Sequence, residues 1–134
     1  MSNAERLDRQ EAQNLLLKDF IMKYLCLVYF DGAIIDTLPP GEWDKLVKDS
    51  AEYDRELQRR GHFVAAEALM SPDTATTVRM RNGKMSATDG PFAELKEQVA
   101  GFILIEAADL NEAMRIGANI PLARIGAVEV RPVM

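Results

Sequence analysis

The sequence predicts an α+β domain with the element order βαββαβ and one inserted β-hairpin. Four apolar stretches of strand composition alternate with two amphipathic helical stretches in that order. A further signal is Asn82-Gly83, which lies between two β-prone segments and is typical of the tight turn of a hairpin. With 134 residues, of which 48% are hydrophobic and 28% charged, the chain has the size and composition of one globular domain.

The first strand and the first helix are predicted from hydrophobic patterning. Lys23–Phe30 is almost entirely apolar, and its β-branched and aromatic content favours a strand. After Pro39-Pro40, apolar residues recur at helical spacing over Gly41–Arg60, while charged residues occupy the remaining positions. Gly61, which follows two arginines, is typical of a helix end.

The other elements follow from the same signals. An acid-x-x-Glu capping box opens the second helix, and the motif Asp89-Gly90-Pro91-Phe92 forms a loop. The order, with both helices on one face of a four-stranded antiparallel sheet, is ferredoxin-like. The predicted elements are a strand at His62–Leu69, a hairpin at Thr76–Ala87, a short helix at Pro91–Gln98, a strand at Val99–Glu106, a helix at Asp109–Gly117 and a strand at Ala127–Arg131.

The first and third long strands are apolar on both faces. A sheet that carries helices on one side only should alternate apolar and polar residues, because its other face meets water. Lys23–Phe30 and Val99–Glu106 do not alternate in this way. An apolar patch of this size usually marks a protein interface, so we predict a homodimer formed through the free sheet face.

The first 21 residues are expected to form an appended arm with a weak helix, and the folded domain is expected to span residues 22–134. Residues 1–20 carry only a faint apolar stripe and show no basic start or small-residue cleavage site of a secretory signal. Met22-Lys23 opens an evident strand. The arm therefore has little bearing on the predicted fold.

Charge and cysteine content exclude several classes of function. The sequence pI near 4.9 and the net charge of -5 argue against a nucleic-acid partner. No run approaches the roughly 20 apolar residues that a membrane span needs. One cysteine and one histidine can form neither an internal disulfide nor a usual zinc site, and phosphate-binding glycine motifs are absent. We therefore expect a soluble, cytoplasmic protein without cofactor or metal.

Asp89 is the most informative candidate for chemistry. Two interpretations stay open for the loop that follows it. Asp, Gly and Pro in succession form a good turn, in which the carboxylate accepts backbone amides. Alternatively, Asp89 is a general acid or base held beside an apolar cavity, with Phe92 as a wall.

Four further side chains are candidates for supporting roles. His62 either places positive charge at the end of the first helix or assists Asp89. Glu67 stands in an apolar row of its strand, so it either reaches a solvated rim or faces a cavity. Arg79 and Arg81 on the hairpin are either ordinary exposed arginines or the site of an anionic ligand.

Several segments of the chain resemble the YCII-related proteins, in the subgroup named for its D-G-P-F motif. The resemblance covers residues 22–134 and leaves the arm unmatched. It implies a ferredoxin-like dimeric α+β barrel. The segments that carry it are Met22–Leu25, Gly61–Leu69, Thr76–Arg79, Thr88–Glu97 and Val128–Pro132.

The resemblance also implies candidate functions. Proteins with this barrel include muconolactone-isomerase-like enzymes and small monooxygenases. Smaller members carry a proposed His–Asp pair with the histidine on the first helix, but Gly41–Arg60 contains no histidine, so that pair does not carry over. The subgroup also resembles proteins encoded beside alternative sigma factors.

Two hypotheses therefore follow. The first is a cofactor-independent enzyme on a small carbonyl-bearing or anionic molecule, with Asp89 as general acid/base, Glu67 or His62 assisting, and Arg79 or Arg81 holding an anionic group. The second is a non-catalytic module that senses a ligand or contacts a protein partner.

Overall fold

Strands and helices form where the apolar patterns predict them, and the chain is a mixed α+β fold. The computed structural model describes residue 9 and residues 21–134. The strands are β1 (Met22–Asp31), β2 (Phe63–Ala68), β3 (Thr76–Arg81), β4 (Lys84–Asp89), β5 (Glu97–Ala107) and β6 (Gly126–Pro132), and the helices are α1 (Glu42–Arg59) and α2 (Leu110–Ala118). Three short 3-10 turns lie at Gly32–Thr37, Pro72–Thr74 and Pro121–Arg124.

The four long strands form one antiparallel sheet in the order β2-β5-β1-β6. The central pair β1–β5 runs from Met22 opposite Ala107 to Asp31 opposite Glu97. The hairpin β3–β4 forms a separate two-stranded sheet. Its turn residues Asn82 and Gly83 both have positive φ, as the Asn-Gly signal predicts for a type I′ turn.

The core lies between the sheet and the two helices. This core contains the buried side chains of Tyr24, Cys26 and Val28 of β1, Ile105 of β5 and Leu57 of α1. Cys26 is fully buried, and burial raises the pKa of its thiol to about 11. The thiol is therefore protonated at neutral pH.

The opposite sheet face, which we call the outer face, is turned away from both helices. Its half-exposed apolar side chains come from the two central strands, and within residues 21–134 no element covers them. The two central strands therefore carry apolar residues on both faces, as the sequence predicts. These side chains are Leu25, Leu27 and Tyr29 of β1 and Phe102 and Leu104 of β5.

A β-bulge in β2 changes the face on which two residues lie. The register shifts between Phe63 and Ala65, so that Phe63 packs on the helix side and Glu67 pairs with Phe102 on the outer face. Strict alternation along the strand would place Phe63 and Glu67 on one face, but the extra residue at the bulge puts them on opposite faces.

The short helix predicted over Pro91–Gln98 is also wrong. The chain is irregular from Gly90 to Lys96, and β5 begins at Glu97. The Gln98 side-chain amide donates hydrogen bonds to the carbonyl oxygens of Ala93 (2.7 Å) and Leu95 (2.8 Å). A helix would need such carbonyls for its own backbone, so the Gln98 amide stabilises a loop instead.

The second helix starts as its capping box predicts. The Asp109 carboxylate accepts a hydrogen bond from the Glu112 N–H at 2.8 Å, and the Glu112 carboxylate accepts one from the Ala108 N–H at 3.0 Å. The weak helix predicted for the arm lies outside the described residues, apart from Arg9, which is helical. In the described part of the chain, the helices lack the combination of length and apolar composition needed to cross a membrane.

Candidate functional site

A pocket lies between α1 and the strands β2 and β5, and we call it the helix–sheet pocket. The 3-10 turn that begins at Pro121 also lines it, and the pocket has a volume of about 170 Å³. Most of its wall is apolar. The residues that line it are Val28, Ser50, Tyr53, Asp54, Ala66, Glu67, Ala68, Ala100, Gly101, Phe102, Ile103, Ile120, Pro121 and Leu122.

The floor of the pocket consists of small residues on two neighbouring strands. Ala66 and Ala68 of β2 pair with Ile103 and Gly101 of β5 on the helix side of the sheet. A Cβ atom on Gly101 would lie 2.7 Å from the carbonyl oxygen of Glu67 and 3.2 Å from the Cα of Ala68. The strands approach closely here because Gly101 has no side chain.

Asp54 of α1 supplies a carboxyl group to this apolar pocket. The residue is half-buried, and burial raises the pKa of its carboxyl above the ordinary value. A carboxyl group in an apolar cavity is poised to exchange a proton nearer neutral pH than an exposed one, which is the property that a general acid or base requires.

Two hydroxyl-bearing residues that line the pocket with Asp54 donate hydrogen bonds to main-chain carbonyl oxygens. The Ser50 hydroxyl donates to the carbonyl oxygen of Leu46 at 2.8 Å, and the Tyr53 hydroxyl donates to the carbonyl oxygen of Ile116 at 2.8 Å. Burial and then the neighbouring Glu56 raise the pKa of Tyr53 to about 12. With these donor hydrogens engaged, each hydroxyl oxygen keeps acceptor capacity only.

Glu67 borders the same pocket, but its side chain lies on the outer face. Its neighbours Ala66 and Ala68 occupy the helix side, and alternation along the strand turns the Glu67 side chain the other way. The side chain is exposed. The Glu67 main chain, rather than its carboxylate, therefore contributes to the floor.

His62 lies at the opposite end of β2, beside the start of α2. Its backbone N–H donates to the carbonyl oxygen of Leu57 at 2.9 Å and so helps to end α1. The ring contacts other groups, because Nδ1 lies 2.8 Å from the carbonyl oxygen of Glu106 and 3.9 Å from Oε1 of Glu112. A carbonyl oxygen only accepts, so Nδ1 carries a proton.

Asp89 ends the hairpin and is exposed at an open cleft of about 590 Å³. Among the residues with described side chains, none donates a hydrogen bond to its carboxylate. The loop is held by other groups: the Gly90 N–H donates to the carbonyl oxygen of Ala75 at 2.7 Å, and the Thr77 hydroxyl donates to the carbonyl oxygen of Gly90 at 2.8 Å.

Arg79 and Phe92 meet beside this loop. The Arg79 guanidinium lies 5.6 Å from the centre of the Phe92 ring, which is within the range of a cation–π interaction. Phe92 is 80% exposed. Arg81 points elsewhere along the hairpin, where its guanidinium donates to the carbonyl oxygen of Met80 at 2.9 Å.

Comparison with known proteins identifies the family of this chain. Residues 22–134 match the model of the YCII-related domain. The chain belongs to the YCII-related family. It is also 33% identical over 113 residues to an uncharacterized protein of Rhizobium meliloti, and the alignment covers 83% of this chain and 91% of that relative.

The YCII-related domain separates the residues that sequence reasoning grouped into one site. Arg79, Phe92 and Asp89 lie near the base of the hairpin, whereas Glu67 is on the outer face and His62 is beside α2. Within the described ranges, no hydrogen bond or ion pair joins any two of Asp89, Glu67 and His62. The described part of the chain therefore does not gather these three residues into one cluster.

Sequence reasoning did not select Asp54 of the YCII-related domain as a site residue. The available signal was the helical stripe of α1, in which Ser50 and Asp54 stand four residues apart among apolar positions. A second signal was the pair of small-residue segments Ala65-Ala66 and Ala100-Gly101 in neighbouring strands. Within the described part of the chain, no three metal-ligating side chains gather into a cluster.

Proposed function

We propose that this YCII-related protein is a cofactor-independent enzyme that transfers a proton to or from a small molecule bound in the helix–sheet pocket. Asp54 is the proton carrier in this proposal. The observation that supports it is a carboxyl group with a raised pKa in the wall of an apolar cavity. Such a carboxyl group can serve as general acid or base without a metal or cofactor.

Asp89 is the second candidate for the acid/base role. Support comes from its carboxylate, which accepts no hydrogen bond from other described residues, and from the Arg79–Phe92 pair beside it. That pair would hold an anionic or planar group of a ligand. We favour Asp54 because the cleft at Asp89 is wide open, and water there competes with proton transfer and screens charge.

The proposal includes a homodimer in which the outer faces of two subunits pack together. The half-exposed Leu27, Phe102 and Leu104 would be buried in it. The strand order β2-β5-β1-β6 supports the ferredoxin-like dimeric α+β barrel, and the Asp89–Phe92 motif supports membership of the D-G-P-F subgroup.

The dimer is tested by Leu27→Glu, which places a charge in the centre of the outer face. We expect wild type to sediment as a dimer at micromolar concentration and the variant as a folded monomer. A wild-type protein that sediments as a monomer would remove this part of the proposal.

The proton-transfer proposal is tested by solvent-deuterium exchange. A library of small carbon acids is incubated with the protein in D2O, and the incorporation of deuterium is followed by NMR. We expect wild type to accelerate exchange of at least one compound and Asp54→Asn to lower that rate by about 100-fold or more, the usual contribution of a general base.

Two further variants make this experiment specific. Glu52→Gln neutralises an exposed carboxylate on the same helix and should leave the rate unchanged. Asp89→Asn separates the two candidates, because an equal loss in that variant with none in Asp54→Asn would transfer the role to Asp89. If no compound exchanges faster than in buffer, proton transfer by this protein is refuted for the compounds in the library.

A ligand-sensing or sigma-factor-associated regulatory module is the second candidate function. The exposed apolar side chains of the hairpin, among them Val78, Met80 and Met85, favour a protein contact there. This function predicts saturable ligand binding without chemical change. It also predicts that Met80→Ser with Met85→Ser abolishes capture of a protein partner while the ligand still binds.

A further inference from the structure

We infer that the ligand of the helix–sheet pocket is a single-ring molecule that carries no negative charge and presents a hydrogen-bond donor, an ammonium or hydroxyl group, to Asp54. This inference rests on the proposed function, because it names the chemical class of ligand for the same pocket. Three properties of the wall support it: its volume, its hydrogen-bonding groups and its charge.

The volume of the helix–sheet pocket matches that of a single-ring molecule. The pocket encloses about 170 Å³, and an apolar cavity of about 150 Å³ in a protein is known to hold benzene. The floor at Gly101 and Ala68 cannot deepen, because the strands already touch there. A bicyclic molecule would have to extend beyond the pocket into solvent.

The polar side chains on the helix side of the wall offer acceptors rather than donors. The Ser50 and Tyr53 hydroxyls donate hydrogen bonds to the carbonyl oxygens of Leu46 and Ile116, respectively. Ionised Asp54 only accepts. A ligand that presents a donor therefore pairs with groups that otherwise lack one, whereas a ligand that presents only acceptors leaves its own polar atoms unpaired in an apolar cavity.

The charge of the wall excludes an anion. Of the two described acidic residues in the lining, Asp54 presents its carboxyl on the helix side of the sheet, whereas the Glu67 side chain is on the outer face. Among the described residues that line the pocket, none is a lysine, arginine or histidine. A carboxylate or phosphate would meet Asp54 without a counter-charge, while an ammonium group would form an ion pair with it.

The inference is tested with three probes that share one ring and differ in charge: benzylamine, benzyl alcohol and benzoate. Binding to the full chain at pH 7 is measured by ligand-observed NMR titration. We expect benzylamine to bind at least about 10-fold more tightly than benzoate, with benzyl alcohol between them. Asp54→Asn should bring the three affinities within about 3-fold of one another.

Two variants assign the binding to the pocket. Ala68→Leu fills the floor from an exposed position and should abolish binding of all three probes while the protein stays folded. Glu52→Gln removes an exposed carboxylate of α1 and should preserve the preference for benzylamine, which excludes a general effect of the negative net charge.

Each outcome has a distinct meaning. Benzoate binding as tightly as benzylamine, or no binding by any of the three probes, overturns the inferred ligand class. If a different compound still shows Asp54-dependent deuterium exchange, the proposed function survives that failure. If benzylamine binds in the pocket but no exchange depends on Asp54, the ligand class stands and the catalytic proposal fails.

Discussion

The α1 side of the sheet and the β3–β4 hairpin are both rich in apolar residues, yet they use them differently. Leu57 of α1 is fully buried, whereas Met85 of β4 is 69% exposed. The helix has a sheet to pack against, but the hairpin forms a two-stranded sheet of its own. An isolated two-stranded ribbon buries little, so apolar content alone does not determine where a core forms.

The comparison also separates the two candidate carboxyl groups. Asp54 lies against the packed side of the molecule, where burial raises its pKa. Asp89 lies at the end of the exposed hairpin, beside an open cleft. The same side-chain chemistry thus has different proton-transfer properties because of its surroundings, which is why we assign the acid/base role to Asp54.

The largest expected effect is a difference in the free energy of unfolding between variants on the α1 side of the sheet and variants in the hairpin. Leu57→Ala leaves a cavity between α1 and the sheet and should lower the free energy of unfolding by about 2–5 kcal/mol. Met85→Ala removes a comparable side chain from the exposed hairpin and should change it by less than about 0.5 kcal/mol. Urea denaturation of both variants measures the difference. Similar losses would mean that Met85 is buried against a partner in solution.

A second prediction concerns the small-residue floor of the pocket. Gly101→Ala brings a Cβ to 2.7 Å from the Glu67 carbonyl oxygen, and the β2–β5 pair must shift. We expect a loss of about 1–3 kcal/mol by urea denaturation, together with weaker ligand binding.

Gly32→Ala is the matched control for the floor, because its added Cβ would meet nothing within 4 Å. Thermal unfolding should separate the two alanine variants. Equal melting temperatures would show that the sheet accommodates a side chain at Gly101, and the pocket floor would not be fixed by that glycine.

The smallest expected effect is the pH dependence of stability that Asp54 causes. Its carboxyl has a higher pKa in the folded chain than in the unfolded chain, so the folded state binds the proton more tightly. Stability from this group should therefore fall as pH rises from the ordinary aspartate value through the raised folded pKa.

Because Asp54 is partly exposed, the change should be below about 1 kcal/mol. The free energy of unfolding of wild type and Asp54→Asn is measured between pH 3 and 8. The difference between them isolates the contribution of Asp54, because asparagine does not titrate. A difference between the two proteins that stays constant over this range would contradict the raised pKa.

The sequence predicts well the features that depend on neighbours along the chain. The Asn82-Gly83 turn, the Asp109–Glu112 cap and the apolar strand Lys23–Phe30 are found as predicted, since each rests on local backbone preferences or periodicity. The helix over Pro91–Gln98 fails because the Gln98 side chain binds carbonyls of the preceding loop.

The sequence predicts the site less well, because proximity in space is not encoded in local pattern. Asp89, Glu67 and His62 each have a plausible local context, yet they lie at the hairpin end, on the outer face and beside α2. The bulge near Phe63 alone reverses the expected face of Glu67. One extra residue in a strand has this effect because side chains alternate with a period of two.

The sequence by itself determined the mixed α+β class, the element order and the apolar character of both faces of the central strands, because these follow from composition and periodicity. Only the tertiary structure decided which carboxyl group meets an apolar cavity. That choice depends on the close approach of β2 to β5 at Gly101 and on the packing of α1 over it. Burial and the pKa of Asp54 arise from these long-range contacts, which no single segment of the chain contains.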